Sequence, residues 1–500
     1  MNIRCSRLAI PARGRSLLAL LTAAGSLSVG CGSDGSGGST QPPATGIAIV
    51  AGNEQQGLPG QALAVPLQVS LSSATGVPAG QDERVAWVVQ TGGGSVPGDT
   101  GLTGPGGLAS VPWTLGPGIG GNSLRAVWPG HDSVTFHATA TGLFTVLGGG
   151  NNVTERYTSD LWVADGYGYS GTWGFRGVQG NAVKIWKLDG SGAPVLTDSI
   201  ITPASGTISD VQVSDDGHWL VFTAEGGGAG GNPGIHVYEL TSPGHPVFRA
   251  KTVVPNGLHT GTLATIGGKL YAFTAKDPGN CALQIYDLSA AGSGTITLAS
   301  GTPIPDHYCI HDTFVRDGYA FVFAWDEGLY VFDVGNGSHG GSPAAPALIS
   351  HTGSQASPAF GGQTHNGWWF WNPTNGEKKY LFIGEEGPGT VGGSSSGDIH
   401  VVDVSDFNHP VEVASYNLPG AGTHNFWIDE PAQRLYAAYY NGGVVALDIS
   451  GTLSGNLASR EIARIKPGGN GATYVWGVML YAGSLYASDM ISGVWQLGLP

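Results

Sequence analysis

Residues 381–419 read LFIGEEGPGTVGGSSSGDIHVVDVSDFNHPVEVASYNLP. Three apolar runs, "LFIG", "IHVVDV" and "PVEVASY", are separated by Gly, Ser, Pro and Asp, the residues of turns. The unit recurs along the chain. Its first run, ending in a polar or acidic turn, returns as "LWVADG" from Leu161, "LVFTAEG" from Leu220, "LYAFTAKD" from Leu270, "FVFAWDEG" from Phe321, "LYAAYYNGG" from Leu435 and "LYASDM" from Leu485. Each is followed by a second run such as "VKIWKLDG", "IHVYELTS", "LQIYDLSA" or "LYVFDVGN". The pairs recur about every fifty residues, the signature of a repeat architecture. Six of the seven units continue into a third run, as in "PVFRAKTVVP"; the seventh stops at Pro500 before one.

Composition fits strands joined by tight turns. Gly accounts for 85 of 500 residues and charged residues for only 11%, while 41% are hydrophobic and 14 are Trp. The material for a core is ample and that for long charged helices is scarce, so the expected class is all-β. Small sheets repeated radially shield their edges by closing into a ring. The outer strand missing from the seventh unit has a donor in "GLFTVLGG", residues 142–149, so residues 142–500 are expected to form a seven-bladed β-propeller. In "IHVVDVSDFNHPVEVASY", "IHVYELTSPGHPVFRA" and "LQIYDLSA" the chain resembles the LVIVD-repeat proteins, a family of bacterial β-propellers; the resemblance implies the fold and assigns no chemistry.

Between residues 46 and 141 the pattern changes to short alternating strands with Gly/Pro turns, including "VAWVVQTGGGSV" and a closing "VTFHATA". This stretch resembles a bacterial immunoglobulin-like domain of the invasin/intimin type, which implies a β-sandwich acting as a spacer or adhesive unit. Ahead of it, residues 1–30 read as an export signal. Arg4, Arg7, Arg13 and Arg15 precede the apolar run "LLALLTAAGSLSVG", which is too short to span a membrane. Cys31 follows at once, and "SVGC" resembles a bacterial lipobox, implying cleavage before Cys31 and a lipid on its sulfur. Residues 31–45, Gly/Ser-rich and then Pro-containing, form a flexible tether. The expected location is the cell envelope, at the outer membrane or cell surface, with the membrane as partner through the anchor.

Acids outnumber bases 36 to 21, and loss of the four signal arginines takes the net charge from −15 to −19. Such a surface repels phosphate backbones, which excludes nucleic acid as a partner. Two cysteines remain in the exported body, Cys281 and Cys309, and outside the cytoplasm a pair is expected to be bridged.

Four histidines recur one repeat apart: His259 in "GLHTGT", His311 in "YCIHDT", His365 in "QTHNGW" and His424 in "GTHNFW". Each is expected to open the innermost strand of its blade, where four imidazoles can meet at one mouth of the channel. Corresponding places elsewhere hold Asp210 in the second blade, Tyr474 or Trp476 in the seventh, and Asn151 and Glu155 in the first. A second ring is expected from strand ends four residues past the opening Leu: Asp165, Glu385, Tyr439 and Asp489. Strand alternation turns Glu385 to the mouth and Glu386 away from it. The residues after the histidines include Asp312 and Asn425, and "GYSGTWGFRG", read as an insertion in the first blade, adds Trp173 and Arg176 to the candidate ligand-binding set.

Neutral imidazoles ligate copper, iron, nickel or zinc, and a carboxylate on the other ring nitrogen fixes the tautomer. Carotenoid oxygenases and selenium-binding proteins offer an architectural parallel, since both pair a propeller with metal-binding histidines. Three readings stay open: a metal site, a polar ligand mouth without metal, and histidines that staple their own blades as in WD40 repeats. Two function classes follow, a surface binding protein and a metal-dependent enzyme of the oxidoreductase or oxygenase type. Other chemistries fail on context. "GSSSG" around Ser395 leads into a strand and not a helix, which disfavours a nucleophile elbow, and no Gly-rich loop opens a helix for phosphate.

Overall fold

The recurrent runs are strands, and each unit of them is one antiparallel sheet. The computed structural model describes residues 43–500 except 152–154, 175–178, 191, 204, 227–232, 278–279 and 305–309. The signal segment, Cys31 and most of the tether therefore lie outside the described residues, as do Arg176 and Cys309; Cys281 is disulfide-bonded. Among the described residues there is no α-helix and only two short 3-10 turns.

Seven sheets follow one another from Thr145 to Gly498, each with four strands in succession from the axis outward, to which the fifth adds Gly455–Asn456, pairing parallel beyond its fourth strand. The third is typical: Gly261–Ile266 innermost, then Lys269–Lys276, Ala282–Asp287 and Thr297–Pro303 outermost; in the fifth, Thr364–Trp369 is innermost, followed by Tyr380–Glu385, Ile399–Asp403 and Val411–Tyr416. Innermost strands of successive sheets lie side by side, and that of the seventh, Val475–Tyr481, lies against that of the first, Tyr157–Ala164, so the ring is closed. The architecture is a β-propeller. Thr145–Gly149 completes the seventh sheet by pairing antiparallel with Gly493–Gly498, Leu497 opposite Val146. The strand donated from the start of the ring thus fastens its end.

Adjacent sheets pack face to face through apolar clusters. Tyr169, Val183 and Ile185 of the first sheet meet Val211, Leu220 and Phe222 of the second; Phe321, Phe323 and Val331 of the fourth meet Trp369, Leu381 and Ile383 of the fifth. Each such fully buried side chain contributes roughly 1.5–3 kcal/mol. In all seven sheets the register slips once between the third and outer strands, at Trp186, Tyr238, Tyr286, Phe332, Val402, Leu447 and Leu497. A repeated bulge at one place sharpens the twist of every sheet by the same amount, which lets identical wedges close a circle.

The first sheet corrects the sequence reading. "LWVADG" belongs to its innermost strand, and the stretch read as an insertion is its second strand, Tyr167–Trp173. Both strands are covered on each face, and periodicity cannot order two buried strands.

Residues 46–140 form two sheets over one core. Gly46–Ala51, Leu67–Ser72 and Leu108–Val111 make the smaller; Gln55–Gly57, Ser133–Ala140, Gly120–Val127, Arg84–Thr91 and Thr100–Leu102 make the larger. Leu67, Val69, Trp113, Leu124 and Phe136 fill the space between them. The pair is docked on the rim of the ring: Gln56 Nε2 donates to the Glu461 carbonyl at 2.9 Å, Ser459 Oγ donates to Glu54 Oε2 at 2.9 Å, and the Gly142 N–H reaches the Ile462 carbonyl at 2.9 Å.

The Asp near the end of the second run, which forms the third strand of its sheet, has a physical role. Asp287, Asp333, Asp403 and Asp448 each accept the N–H two residues on, at 2.9, 2.9, 3.0 and 2.9 Å, closing an Asx turn that bends the chain toward the outer strand. Asp333 also accepts from Asn336 and His339 at 2.9 and 2.7 Å. Burial would raise its carboxyl, but these backbone donors outweigh it and hold the group far below its ordinary 3.8. A depressed carboxyl contributes stability above its unfolded value and loses it as pH falls through the folded one. Asp333→Ala is expected to cost about 2 kcal/mol at pH 7 by removing a charged acceptor from several partly buried N–H donors at once. Below pH 4 the wild-type protein should lose melting temperature more steeply than Asp333→Asn, as followed by thermal denaturation over a pH series.

Candidate metal and ligand site at the channel mouth

The innermost strand of each sheet begins with two residues facing one on the next strand. Phe323 pairs with Asp312 and also receives the His311 N–H; Ala275 serves both His259 and Thr260; Ala438 serves both His424 and Asn425. In the fifth and seventh sheets the register skips His365 and Trp476. A bulge breaks strand alternation, so two consecutive side chains turn to the axis at different depths. The outer layer is Ser209, His259, His311, His365, His424 and Trp476; the layer beneath includes Asp160, Asp210, Asp312, Asn366 and Asn425.

The four histidines stand in a row of contacts. Ring centroids are 4.6 Å apart for His259 and His311, 5.0 Å for His311 and His365, and 4.2 Å for His365 and His424. Their common neighbour is Glu386. Its Oε2 lies 3.7 Å from His311 Nε2 and 3.6 Å from His365 Nε2, and its Oε1 lies 3.9 Å from His424 Nε2. These distances exceed a hydrogen bond, whereas two ligand atoms on one tetrahedral metal stand about 3.4 Å apart. One ligand atom from each of His365, Glu386 and His424 lies within 4.8 Å of the other two. Nδ1 of His311 and of His365 and both ring nitrogens of His424 are buried without a hydrogen-bond partner. Tyr440 donates its hydroxyl to Glu386 Oε1 and fixes the carboxylate from the far side.

Electrostatics separates His259 from the rest. Burial opposes its charge, but the Glu225 carboxylate, hydrogen-bonded to Nδ1 at 2.7 Å, outweighs burial with help from Asp277 and Glu386 and pushes the imidazole up to about 9. His311, His365 and His424 are held well below 6.5, chiefly by burial and secondarily by their neighbouring imidazoles. Burial raises Glu386 to about 7, against the Tyr440 hydrogen bond and the charge of His259. Three neutral imidazoles beside a carboxyl group form a donor set that needs little deprotonation to bind a metal.

A cavity of about 380 Å³ opens above this cluster. Its collar is aromatic: Trp325 stands edge-on to His311 at 4.3 Å, Trp476 leans on His424 at 4.3 Å, Trp173 lies 6.0 Å from Trp476, and Tyr474 and Met490 complete the wall. The cavity is thus lined mostly by apolar surface, with the histidines, Glu225, Asp277 and Glu386 among its polar groups.

The remaining candidates are dispersed. Asp210, Asp312 and Asn425 face the deeper channel, so the counterpart of the histidines in the second sheet is Ser209 and not Asp210. Asp165 sits at positive φ in the turn between the first two strands of its sheet. Glu385 is turned to His400 at 3.5 Å and receives the Asp398 N–H at 3.2 Å; Tyr439 is buried with its hydroxyl on the Tyr416 carbonyl; Asp489 receives the N–H groups of Tyr474, Ile491 and Ser492. The expected orientation of Glu385 and Glu386 is reversed. The regular strand stops at Glu385, and the Glu386 N–H then bonds to the Gln363 carbonyl of the incoming chain, which rotates the next side chain into the mouth. The same one-residue offset makes Tyr440, Met490 and Glu225 the lining residues; a reading five positions past the opening Leu finds all four. Asp277 and Trp325 carry no comparable signal.

The LVIVD repeat family matches residues 311–349 and 393–418, within the fourth and fifth sheets. No curated protein sequence matches the chain. Among solved structures, the β-propeller domain of Cps50 (Swd1) from Myceliophteria thermophila is similar with a TM-score of 0.47 at 10% identity, over 69% of this chain and 98% of that one. Raptor from Chaetomium thermophilum is similar with a TM-score of 0.46 at 13% identity, over 69% of this chain and 28% of that one. The chain is a β-propeller protein carrying LVIVD repeats.

Proposed function

We propose that the chain is an exported, lipid-anchored binding protein whose propeller mouth holds a transition metal beneath a cavity for a small, largely apolar ligand. The two N-terminal sheets serve as an immunoglobulin-like spacer of the invasin/intimin type, and the lipid on Cys31 joins the whole to the cell envelope. The observation that carries the metal is the cluster of His365, Glu386 and His424, whose ligand atoms lie within 4.8 Å and whose imidazoles keep buried nitrogens free. Two histidines and one carboxylate suit iron, with copper and zinc as the other candidates. His311 adds a further donor at 3.7 Å from Glu386. His259, anchored by Glu225, flanks the set.

Purified protein reconstituted separately with iron, copper and zinc is expected to retain one equivalent of at least one metal after desalting, by elemental analysis. Glu386→Gln should weaken retention ten- to a hundredfold, and His365→Ala combined with His424→Ala should abolish it. Since these imidazoles hold partnerless buried nitrogens, the double variant should melt within about 4 °C of wild type. A large fall in melting temperature with retained metal would instead make the histidines blade staples.

The enzyme reading gains support from the cavity lying directly over a ligand set that leaves coordination positions open. Nitric oxide is expected to bind ferrous-loaded protein and give the electron paramagnetic resonance signal of a nitrosyl adduct. A ferrous site that takes no nitric oxide is closed, and the oxidoreductase reading falls with it.

A further inference from the structure

The cavity above the histidines divides its chemistry by position. Its floor carries His311, His365, His424 and Glu386, and its walls are mostly Trp173, Trp325, Trp476, Tyr474, Met490 and Val391. In a ring of seven sheets the fourth stands opposite the first and seventh, so Trp325 lies across the opening from Trp173 and Trp476, whose rings are 6.0 Å apart. The floor is short of partners. His365 and His424 are each only 2% exposed, yet His365 Nδ1 and both ring nitrogens of His424 make no hydrogen bond.

Trp325 is held in the wall against its backbone preference. Its φ is 51°, in the left-handed region that a bulky residue rarely adopts, and Tyr440 stands at 38°. The Trp325 N–H bonds to the Thr364 carbonyl at 3.0 Å, and the Thr364 N–H and hydroxyl return to the Trp325 carbonyl at 3.2 and 2.9 Å, which fixes the turn beside His365. Strain of this kind persists where the surroundings over-determine it, and it collects at ligand sites.

Aromatic walls over an acceptor floor suit a flat ring with a hydroxyl. Rings gain from such walls beyond the area they bury, through offset and edge-on contacts that a saturated hydrocarbon cannot make. A phenolic O–H supplies the donor that a buried acceptor nitrogen of His365 or His424 is missing, and an unpaired buried acceptor is costly. An organic cation fits less well. Glu225 receives Ser209 Oγ at 2.8 Å and lies 2.7 Å from His259 Nδ1, Glu386 receives the Tyr440 hydroxyl, and Asp277 lies in the field of His259 and Lys276. A sugar would leave hydroxyls against indole and thioether. At about 380 Å³ the cavity is at the small end for a ligand site, which limits the guest to a compact one.

We infer that this cavity binds a compact phenol, a planar hydroxyarene whose rings lie between Trp325 and the Trp173–Trp476 pair and whose hydroxyl meets the floor of His365 and His424. The inference rests on the reading of this cavity as the ligand site and names the class of ligand; it does not require the metal.

Isothermal titration of the purified, metal-free full chain tests it with 2-naphthol, 2-methoxynaphthalene, decahydro-2-naphthol and tetramethylammonium chloride as probes. 2-Naphthol should bind saturably at one equivalent, and tetramethylammonium should give no saturable heat. Removing the O–H donor, in 2-methoxynaphthalene, and removing the aromatic rings, in decahydro-2-naphthol, should each weaken binding about tenfold. Trp325→Gly deletes one wall at a position whose φ suits glycine, and Trp476→Leu thins the opposite wall; each should keep the circular dichroism of the fold and weaken 2-naphthol about fivefold. Iron retention is read separately by elemental analysis, so a protein that binds 2-naphthol and holds no metal loses the metal reading alone. Absence of saturable 2-naphthol binding overturns the inference whatever metal the protein retains. Equal binding of the methoxy or saturated analogue, tetramethylammonium binding in its place, or 2-naphthol binding that neither tryptophan variant weakens overturns it as well.

Discussion

The antiparallel pairing of Thr145–Gly149 with Gly493–Gly498 is the contact on which everything else rests. Among the described residues it is the one place where segments far apart in the chain share a sheet of the ring, and without it the seventh sheet would end in an open edge. Closure puts seven inner strands around one axis, and only then can side chains from the third, fourth, fifth and sixth sheets occupy the same few ångströms. The docked N-terminal sheets lead directly into that fastening strand and bond to the sixth sheet beside it, so the clasp is held from outside as well.

Within the ring, the bulge at the head of each inner strand sorts chemistry by depth. A regular strand would send successive side chains to opposite faces, giving the channel one residue in two. Two residues opposite one give the channel both. Imidazoles collect in one layer and carboxyl and amide groups in the next, so a layer of nitrogen donors and a layer of acids lie back to back. Gly384, opposite Asn366, makes room for this; a Cβ there would stand 2.3 Å from the Asn366 side-chain oxygen. The layers differ in their cover too, with an aromatic collar above the histidines and a tryptophan wall below the acids.

Sequence reasoning found the histidines because they repeat at one-blade intervals, and it failed where the period was broken by a single residue. Glu386 was legible as a carboxylate at a strand end and illegible as the centre of the cluster, because its direction depends on a hydrogen bond to Gln363 in the loop that enters its own sheet. Tyr440 and Tyr439 are neighbours of the same type, and their roles are divided by where the regular strand stops. Ser209 had no signal at all: a serine before Asp210 becomes a partner of Glu225 and His259 only when two sheets meet.

What the sequence by itself determined was the repeat: alternating apolar runs, turns closed by Asp side chains and a missing last strand with its donor, all properties of local spacing. What only the tertiary structure decided was which side chains share a depth on the axis. That depends on bulges and on loops crossing between sheets, where hydrogen bonds between residues distant in sequence, and not the two-residue period of a strand, set the direction of each side chain.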